Sequence, residues 1–220
     1  MKKITFDTKI DCIICLNGEL NFEDLQNSIF SKLQNIPIFA ADGAASKLFA
    51  NNIKPNKIIG DLDSLDACNL DVEIVKNYDQ NKYDFEKTLD YAKNNNFQNC
   101  LILGINGGEF EHTLNNWSIL KKYSKTMNLC VYTEQRYGFF IDENILIELK
   151  KNEIISIIPS SKAVITSKNL NWELNKCNLE IGIFEGARNF AKEEIVEIIL
   201  HEGNYFLFVN ARIPFISNIK

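Results

Sequence analysis

Ile58-Ile59-Gly60-Asp61-Leu62-Asp63-Ser64 is an apolar run that ends in two aspartates placed two positions apart. Ile58 and Ile59 are β-branched, and Gly60 permits a close or sharp turn of the backbone. If strand geometry persists, Asp61 and Asp63 point to the same side, because side chains alternate with period two. Two carboxylates so placed repel each other unless a cation or a shared proton lies between them. A hard divalent cation with oxygen ligands, Mg²⁺ above all, suits the pair. The alternative is a solvated turn in which Asp63 or Ser64 caps a short helix.

On both sides of this stretch the chain alternates short apolar runs with helical patterns. The runs are Cys12–Leu16, Pro37–Ala41, Lys57–Ile59, Glu73–Val75, Cys100–Leu103 and Leu129–Tyr132. Between them lie candidate helices over Glu23–Leu33, Ala44–Asn51, Asp84–Asn94 and His112–Ser124. Phe85, Leu89 and Ala92 follow the i, i+4, i+7 rule in the third. The rhythm predicts an α/β fold, a Rossmann-like parallel sheet with flanking helices. After Tyr132 the runs recur without long helices: Tyr137–Ile141, Ile145–Leu149, Glu153–Ile158, Ala163–Thr166, Glu194–Leu200 and Tyr205–Val209. Turn signals such as Asp142-Glu143-Asn144 and Glu202-Gly203-Asn204 separate them, the pattern of an antiparallel β-sandwich or barrel. We therefore expect an α/β domain over residues 1–133 and a β-sandwich over 134–220.

The 220 residues suffice for one large domain or two modest ones. A hydrophobic share of 45% and a charged share of 24% are ordinary for a soluble globular protein. The net charge of −5 speaks against a dominant nucleic-acid or membrane surface, since those partners want a basic field. It leaves a nucleotide open, because a metal ion can mediate between carboxylates and phosphates. The opening MKKITFDTKID has no apolar core of a signal peptide, and no run approaches a membrane span, so a cytoplasmic location is expected. Cysteines stand at 12, 15, 68, 100, 130 and 177. Cys12 and Cys15 would face opposite sides of a strand, which suits neither a redox pair nor a metal clamp. The cysteines read as buried reduced thiols of a reducing compartment. With His112 and His201 as the only histidines, a histidine-rich zinc site is disfavoured.

In an open α/β sheet, ligands bind beyond the carboxyl ends of the strands. The polar residues of this chain fall at those ends. Asn17 and Gly18 follow the first run, Asp42 and Gly43 the second, and Asp61 and Asp63 the third. Asp79 and Gln80 follow the fourth, with Asp84 opening a helix. Gly104, Gly107 and Gly108 follow the fifth and lead toward His112. Each has a plain alternative: Asp79 can form a turn, Asp84 can favour a helix N-terminus, and the glycines can be a simple loop. A Gly-rich loop that enters a helix can also cradle phosphate. It is not a Walker A loop, for no Gly-Lys-Ser/Thr follows, and it is not GxGxxG. The chemistry suggested is phosphoryl-type transfer with Mg²⁺ held by carboxylates.

With these residues in place the chain resembles the thiamine pyrophosphokinases, which transfer pyrophosphate from ATP to thiamine and release AMP. Ala41-Asp42-Gly43-Ala44-Ala45 is similar to their ADGA segment, and Lys54 through Ser64 to their P-D-x-I-x-G-D-x-D-S block. Asp79 through Lys87 resembles DQxxTDFEK, and Gly104 through Asn116 resembles G-x-x-G-G-R-x-D-H-x-L-x-N. Ile157-Ile158-Pro159 and Leu170 through Leu174 resemble SLLP and GLKWxL. The resemblance implies an α/β catalytic domain, a β-sandwich, and a homodimer with thiamine near the subunit interface. Asp61, Asp63 and Asp84 would hold Mg²⁺ and the transferred phosphates, with Asp79 in a catalytic role. Asn17, Gly18, Asp42, Gly43, Lys82, Gly104, Gly107, Gly108, His112 and Asn116 would contact the nucleotide. Gln80, Trp172, Arg188 and Asn189 would contact thiamine, Trp172 offering a face to the cationic thiazolium; its plain alternative is a core aromatic.

Four residues depart from the pattern: Glu109 stands where the family carries Arg, Glu111 where it carries Asp, Tyr83 for Thr and Arg188 for Ser. Three outcomes are open. Lys82, or Arg188 from the partner subunit, supplies the missing positive charge; Glu109 turns away; or the activity is lost or changed. Besides thiamine pyrophosphorylation, two readings therefore stand: a pyrophosphokinase for another acceptor such as a hydroxymethylpterin, and a non-catalytic nucleotide- or thiamine-binding protein.

Overall fold

The computed structural model describes residues 1–61 and 71–219; Asp63 and Cys68 lie outside the described residues. In chain order the backbone forms β1 (Lys2–Ile4), β2 (Cys12–Cys15), α1 (Phe22–Leu25), β3 (Ile38–Ala41), α2 (Asp42–Ala50), β4 (Lys57–Gly60), β5 (Glu73–Lys76) and α3 (Asp84–Asn94). It continues with β6 (Asn99–Leu103), α4 (Phe110–Ser124), β7 (Asn128–Thr133), β8 (Arg136–Ile141), β9 (Ile145–Glu148), β10 (Ile154–Lys168), β11 (Cys177–Glu180), β12 (Gly186–Phe190) and β13 (Ile195–Asn210). Two units result. One is Lys9–Glu134; the other joins Met1–Thr8 to Gln135–Lys220.

In the first unit β2 to β7 form a parallel sheet in the order β7-β6-β2-β3-β4-β5. Cys12, Ile13, Ile14 and Cys15 of β2 and Leu101 and Ile102 of β6 are wholly buried. Burial on both faces explains why these strands read as unbroken apolar runs and not as alternating patterns. The sheet grows from β2 through β5 in one direction, then β6 returns to the other side of β2. The strand order reverses between β2 and β6, where the loops leaving those strands diverge. Phe39 anchors the core, edge-on to Tyr91 at 5.4 Å and to Phe97 at 5.0 Å between ring centroids.

Two expected helices differ in extent. The pattern at Glu23–Leu33 forms one α-turn, α1, started by the Asn21 side chain accepting from the Asp24 N–H, and then a π-helical turn over Gln26–Phe30. The helix expected from Ala44 begins at Asp42, with no loop after β3. That direct junction puts the Asp42 carboxylate in the first turn of α2.

The second unit is antiparallel but for one pairing. β1 runs parallel to β9; β9, β8 and β10 are antiparallel to β13; β11 and β12 are antiparallel to β10. Pairing with β9 draws the first eight residues out of the α/β unit, where the apolar rhythm had placed them. The runs at Glu153–Ile158 and Ala163–Thr166 are halves of one strand, β10, and those at Glu194–Leu200 and Tyr205–Val209 are halves of β13. The residues between them are bends, not turns. Burial alternates along both strands and breaks at Ser161–Lys162 and at Leu200–Asn204, beside the register shift between Pro159 and Ala163. Gly203, at φ +81°, sits so close to Lys162 that a Cβ would lie 2.0 Å from the carbonyl oxygen. A glycine inside a strand marks such a close approach.

Cys12, Cys15, Cys100 and Cys130 are buried in the parallel sheet, and burial pushes the Cys15 thiol up to about 12. A thiol-specific alkylating reagent at neutral pH is therefore expected to label Cys177 in the native protein and these four only after unfolding. Mass spectrometry of the labelled peptides checks this; rapid native labelling of Cys12 or Cys15 would contradict the buried-strand assignment.

Candidate active site

Three elements end side by side at the carboxyl edge of the parallel sheet. α2 starts with Asp42 directly after β3, Asp61 follows β4, and α3 starts with Asp84. An oxygen from each of these carboxylates lies within 4.8 Å of the others. Asp42 is 1% exposed. Two glycines make room for this. A Cβ on Gly60 would lie 2.6 Å from the Asp42 Cβ, and one on Gly43 would lie 2.4 Å from Asn17 Nδ2. The cluster thus contains Asp42, which the motif resemblance had given to the nucleotide, with Asp61 and Asp84.

A buried cation stands among these acids. Lys87 is 3% exposed, and its Nζ donates to Asp84 Oδ1 at 2.9 Å and to Asp61 Oδ2 at 3.3 Å. Gln80 Nε2 also donates to Asp61 Oδ2, at 3.3 Å. Burial acts to raise the Asp61 carboxyl, but hydrogen bonding and charge from Lys87 win and hold it below its ordinary value. Burial likewise acts to lower Lys87, and Asp84 and Asp61 together hold it above the ordinary lysine value. The Asp61–Lys87 pair therefore stabilises the fold above the ordinary aspartate range and is lost as pH falls through the depressed Asp61 value; Lys87 stays charged throughout that range. Lys87 was legible in the sequence as the i+3 neighbour of Asp84 on one helix face.

The loops after β2 and β6 are closed against each other. Gly18 N–H donates to the Gly104 carbonyl and Glu19 N–H to the Asn106 carbonyl. A Cβ on Gly18 would lie 2.1 Å from the Asn106 carbonyl oxygen, one on Gly104 2.5 Å from that of Leu16, and one on Gly107 2.6 Å from Glu19 N. These glycines serve loop-to-loop contact. Gly18, Gly107 and Gly108 all line a cavity, and Gly108 is the one of them with open space where a Cβ would stand. Side chains fasten the loops from outside: Lys47 Nζ donates to the carbonyls of Asn17 and Gly18, Asn116 Nδ2 to that of Ile105, and Trp117 Nε1 to Asn106 Oδ1. The cavity, about 310 Å³, is lined among others by Asn17, Gly43, Asp84, Gly108, Glu109 and His112. Asp84 belongs to both cavity and carboxylate cluster. At the start of α4, His112 Nε2 meets Glu109 Oε2 at 3.2 Å, and both side chains are exposed.

Lys82 and Asp79 are directed elsewhere. Lys82 Nζ pairs with Asp90 at 2.8 Å, and Asp79 Oδ1 accepts from the Asn81 N–H as a turn former. Tyr83 precedes α3 in extended geometry, where the Glu86 carboxylate accepts from its N–H. In the second unit Trp172 is 58% exposed, and Asn189 is buried beneath it. Asn189 Oδ1 accepts from the Trp172 N–H at 3.1 Å and Nδ2 donates to the Trp172 carbonyl at 2.7 Å. Asn189 thus holds the loop that presents the indole, whose ring also meets Phe190 at 5.8 Å. Arg188, at φ +55°, donates its N–H to Ser156 Oγ.

Residues 32–131 match the family model for the catalytic domain of thiamin pyrophosphokinase. Thiamine pyrophosphokinase 2 of Arabidopsis thaliana is 23% identical over 202 residues, covering 72% of each chain. The crystal structure of thiamine pyrophosphokinase from Bacillus subtilis superposes with a TM-score of 0.71 at 21% identity, over 92% of this chain and 99% of that one. Yeast thiamin pyrophosphokinase superposes with a TM-score of 0.74 at 18% identity, over 93% and 87%.

Gly60→Ala is expected to displace Asp42 from Asp61 and Asp84 while the sheet stays folded. Mn²⁺ binding, read by the electron paramagnetic resonance of the free ion, should weaken by about 10- to 100-fold, the range for loss of a supporting contact. Unchanged binding with a native circular dichroism spectrum would show that the close approach is dispensable.

Proposed function

We propose that this chain is a thiamin pyrophosphokinase, as its similarity to that family supports, and that it transfers the pyrophosphoryl group of ATP to thiamine and releases AMP. The observation that carries the reading is the cluster of Asp42, Asp61 and Asp84 beside the cavity at the reversal of strand order. The donor set fits a hard divalent cation: all oxygen, carboxylate, and with one wholly buried member. Asp42, Asp61 and Asp84 would hold Mg²⁺, with Asp63 the next carboxylate in the chain, and the ion would neutralise phosphate charge as it develops.

The chain's own part is positioning and electrostatics. The thiamine hydroxyl oxygen forms a bond to the β-phosphorus while the bond from that phosphorus to the oxygen shared with the α-phosphate breaks. In a loose phosphoryl-transfer transition state the attacking oxygen needs little deprotonation in advance, so placement outweighs a strong base. Gln80 and Lys87 fix the Asp61 carboxylate, and the closed pair of loops fixes Gly108 and the start of α4. Trp172, held from beneath by Asn189, is the surface offered to thiamine in this reading. A homodimer belongs to the reading on the strength of the resemblance. The cytoplasmic location rests on the reduced cysteines; among the described residues no helix is long and apolar enough to cross a membrane.

Thiamine, ATP and Mg²⁺ should yield AMP and thiamine diphosphate, followed by a coupled assay and chromatography, and EDTA should abolish both. Asp61→Ala is expected to lower turnover by about a hundredfold or more, about 2.7 kcal/mol of transition-state stabilisation, with the fold intact. Near-normal turnover of that variant would remove the carboxylate from the mechanism. Glu109→Arg should tighten ATP binding if the missing cation is all that distinguishes this site; a loss of activity would give Glu109 a role of its own.

A further inference from the structure

We propose that Lys87 is a built-in counter-cation: a positioning residue that occupies the carboxylate site before metal arrives, opposes metal bound without substrate, and so ties metal capture to the arrival of the phosphates. The inference deepens the pyrophosphokinase reading and rests on it only for the identity of the ion. Its basis is the placement of one ammonium among three acids. Asp42, Asp61 and Asp84 each place a carboxylate oxygen within 4.8 Å of the others. Lys87 hydrogen-bonds two of them and leaves a net charge of about −2 when all four groups are ionised.

Lys87 relieves repulsion among these acids, but its position carries penalties of its own. Lys87 sits one turn into α3, and its side chain reaches back to Asp84, the first residue of the helix. The helix N-terminus disfavours a cation, and burial disfavours any charge. Among the described residues, both penalties are met by the carboxylates of Asp61 and Asp84. The same geometry sets the consequence. A divalent ion that joins Asp61 and Asp84 comes close to an ammonium already bonded to both, so metal and Lys87 repel. A nucleotide brings further negative charge, which offsets that repulsion and gives the Lys87 ammonium a second acceptor.

The test measures Mn²⁺ affinity of the full chain, without nucleotide or thiamine, for the wild type, Lys87→Met and Lys87→Arg. Removal of the charge is expected to tighten Mn²⁺ binding by about tenfold or more, and Lys87→Arg, which keeps it, to remain within about threefold of wild type. A purely structural lysine would give the opposite order, so Lys87→Met binding equal to or weaker than wild type overturns the proposal. A second measurement uses the wild type and stands even if Lys87→Met does not fold. In ¹⁵N-lysine protein the Lys87 ammonium signal, assigned by its loss in Lys87→Arg, should shift when Mg²⁺ is added. An unmoved signal in protein that binds Mg²⁺ by calorimetry overturns the inference. Failure of the pyrophosphokinase reading looks different: no AMP is released although Lys87→Met still binds metal more tightly.

Discussion

Like charge held at short range is the constraint around which the α/β unit is arranged. Three carboxylates within 4.8 Å of one another repel, and each comes from a different element, so no local conformation can relieve the strain by itself. The sheet supplies the restraint. Parallel registers from Phe39↔Lys57 to Ala41↔Ile59 fix where β3 and β4 end, and the wholly buried Ile58, Leu48 and Leu89 lock the strand and the helices α2 and α3 that carry the acids. Hydrophobic burial is non-directional, but packing at near-crystalline density converts it into position. The repulsion that remains is met by Lys87 and Gln80.

Close approach of backbones is the second means of construction, and glycine is its instrument. Gly60 and Gly43 let Asp42 and Asn17 lie against neighbouring main chain, and Gly18, Gly104 and Gly107 let two loops touch. A glycine-rich loop before a helix suggests a phosphate cradle by composition, yet at these positions the absent side chain makes room for protein. Gly108 alone of the four has open space where a side chain would stand. The distinction has a physical signature: a hypothetical Cβ meets carbonyl oxygen at 2.1 Å at Gly18, and nothing within 4 Å at Gly108.

How much of this was legible in the sequence varies with the range of the interaction. β2, β6 and β7 could be read because strands buried on both faces leave unbroken apolar runs. Asp61 and Asp84 were legible as strand-end and helix-start acids. Asp42 was visible at a strand end too, but nothing local shows that its carboxylate turns toward Asp61 and not toward a ligand. Asn189, expected at the substrate, hydrogen-bonds the backbone of Trp172, a relation between residues 17 apart that leaves no periodic trace. The bends in β10 and β13 looked like turns because Gly203 and the polar residues around it serve both purposes equally. Lys82 looked like a phosphate ligand by charge and proximity to Asp84; its partner, Asp90, lies two turns along α3, where a lysine of that length reaches readily.

The Glu109 departure can be weighed in the same terms. Glu109 is the residue before α4, and its carboxylate makes no capping hydrogen bond. An anion at a helix N-terminus is favoured by the exposed N–H groups, whereas an arginine there would be opposed by them and would depend on bound phosphate for compensation. Glu109 therefore suits the ligand-free helix better than the residue the family pattern carries, and His112 draws its carboxylate along the helix surface. The cost falls on the nucleotide. In the proposed reading, with an acid in place of a base beside the cavity, more of the phosphate charge would fall to an ion held by the carboxylates and to Lys87. The substitution would then move the burden of charge neutralisation from the exposed start of α4 to the buried carboxylate cluster beside the cavity, where the low dielectric makes each cation count for more.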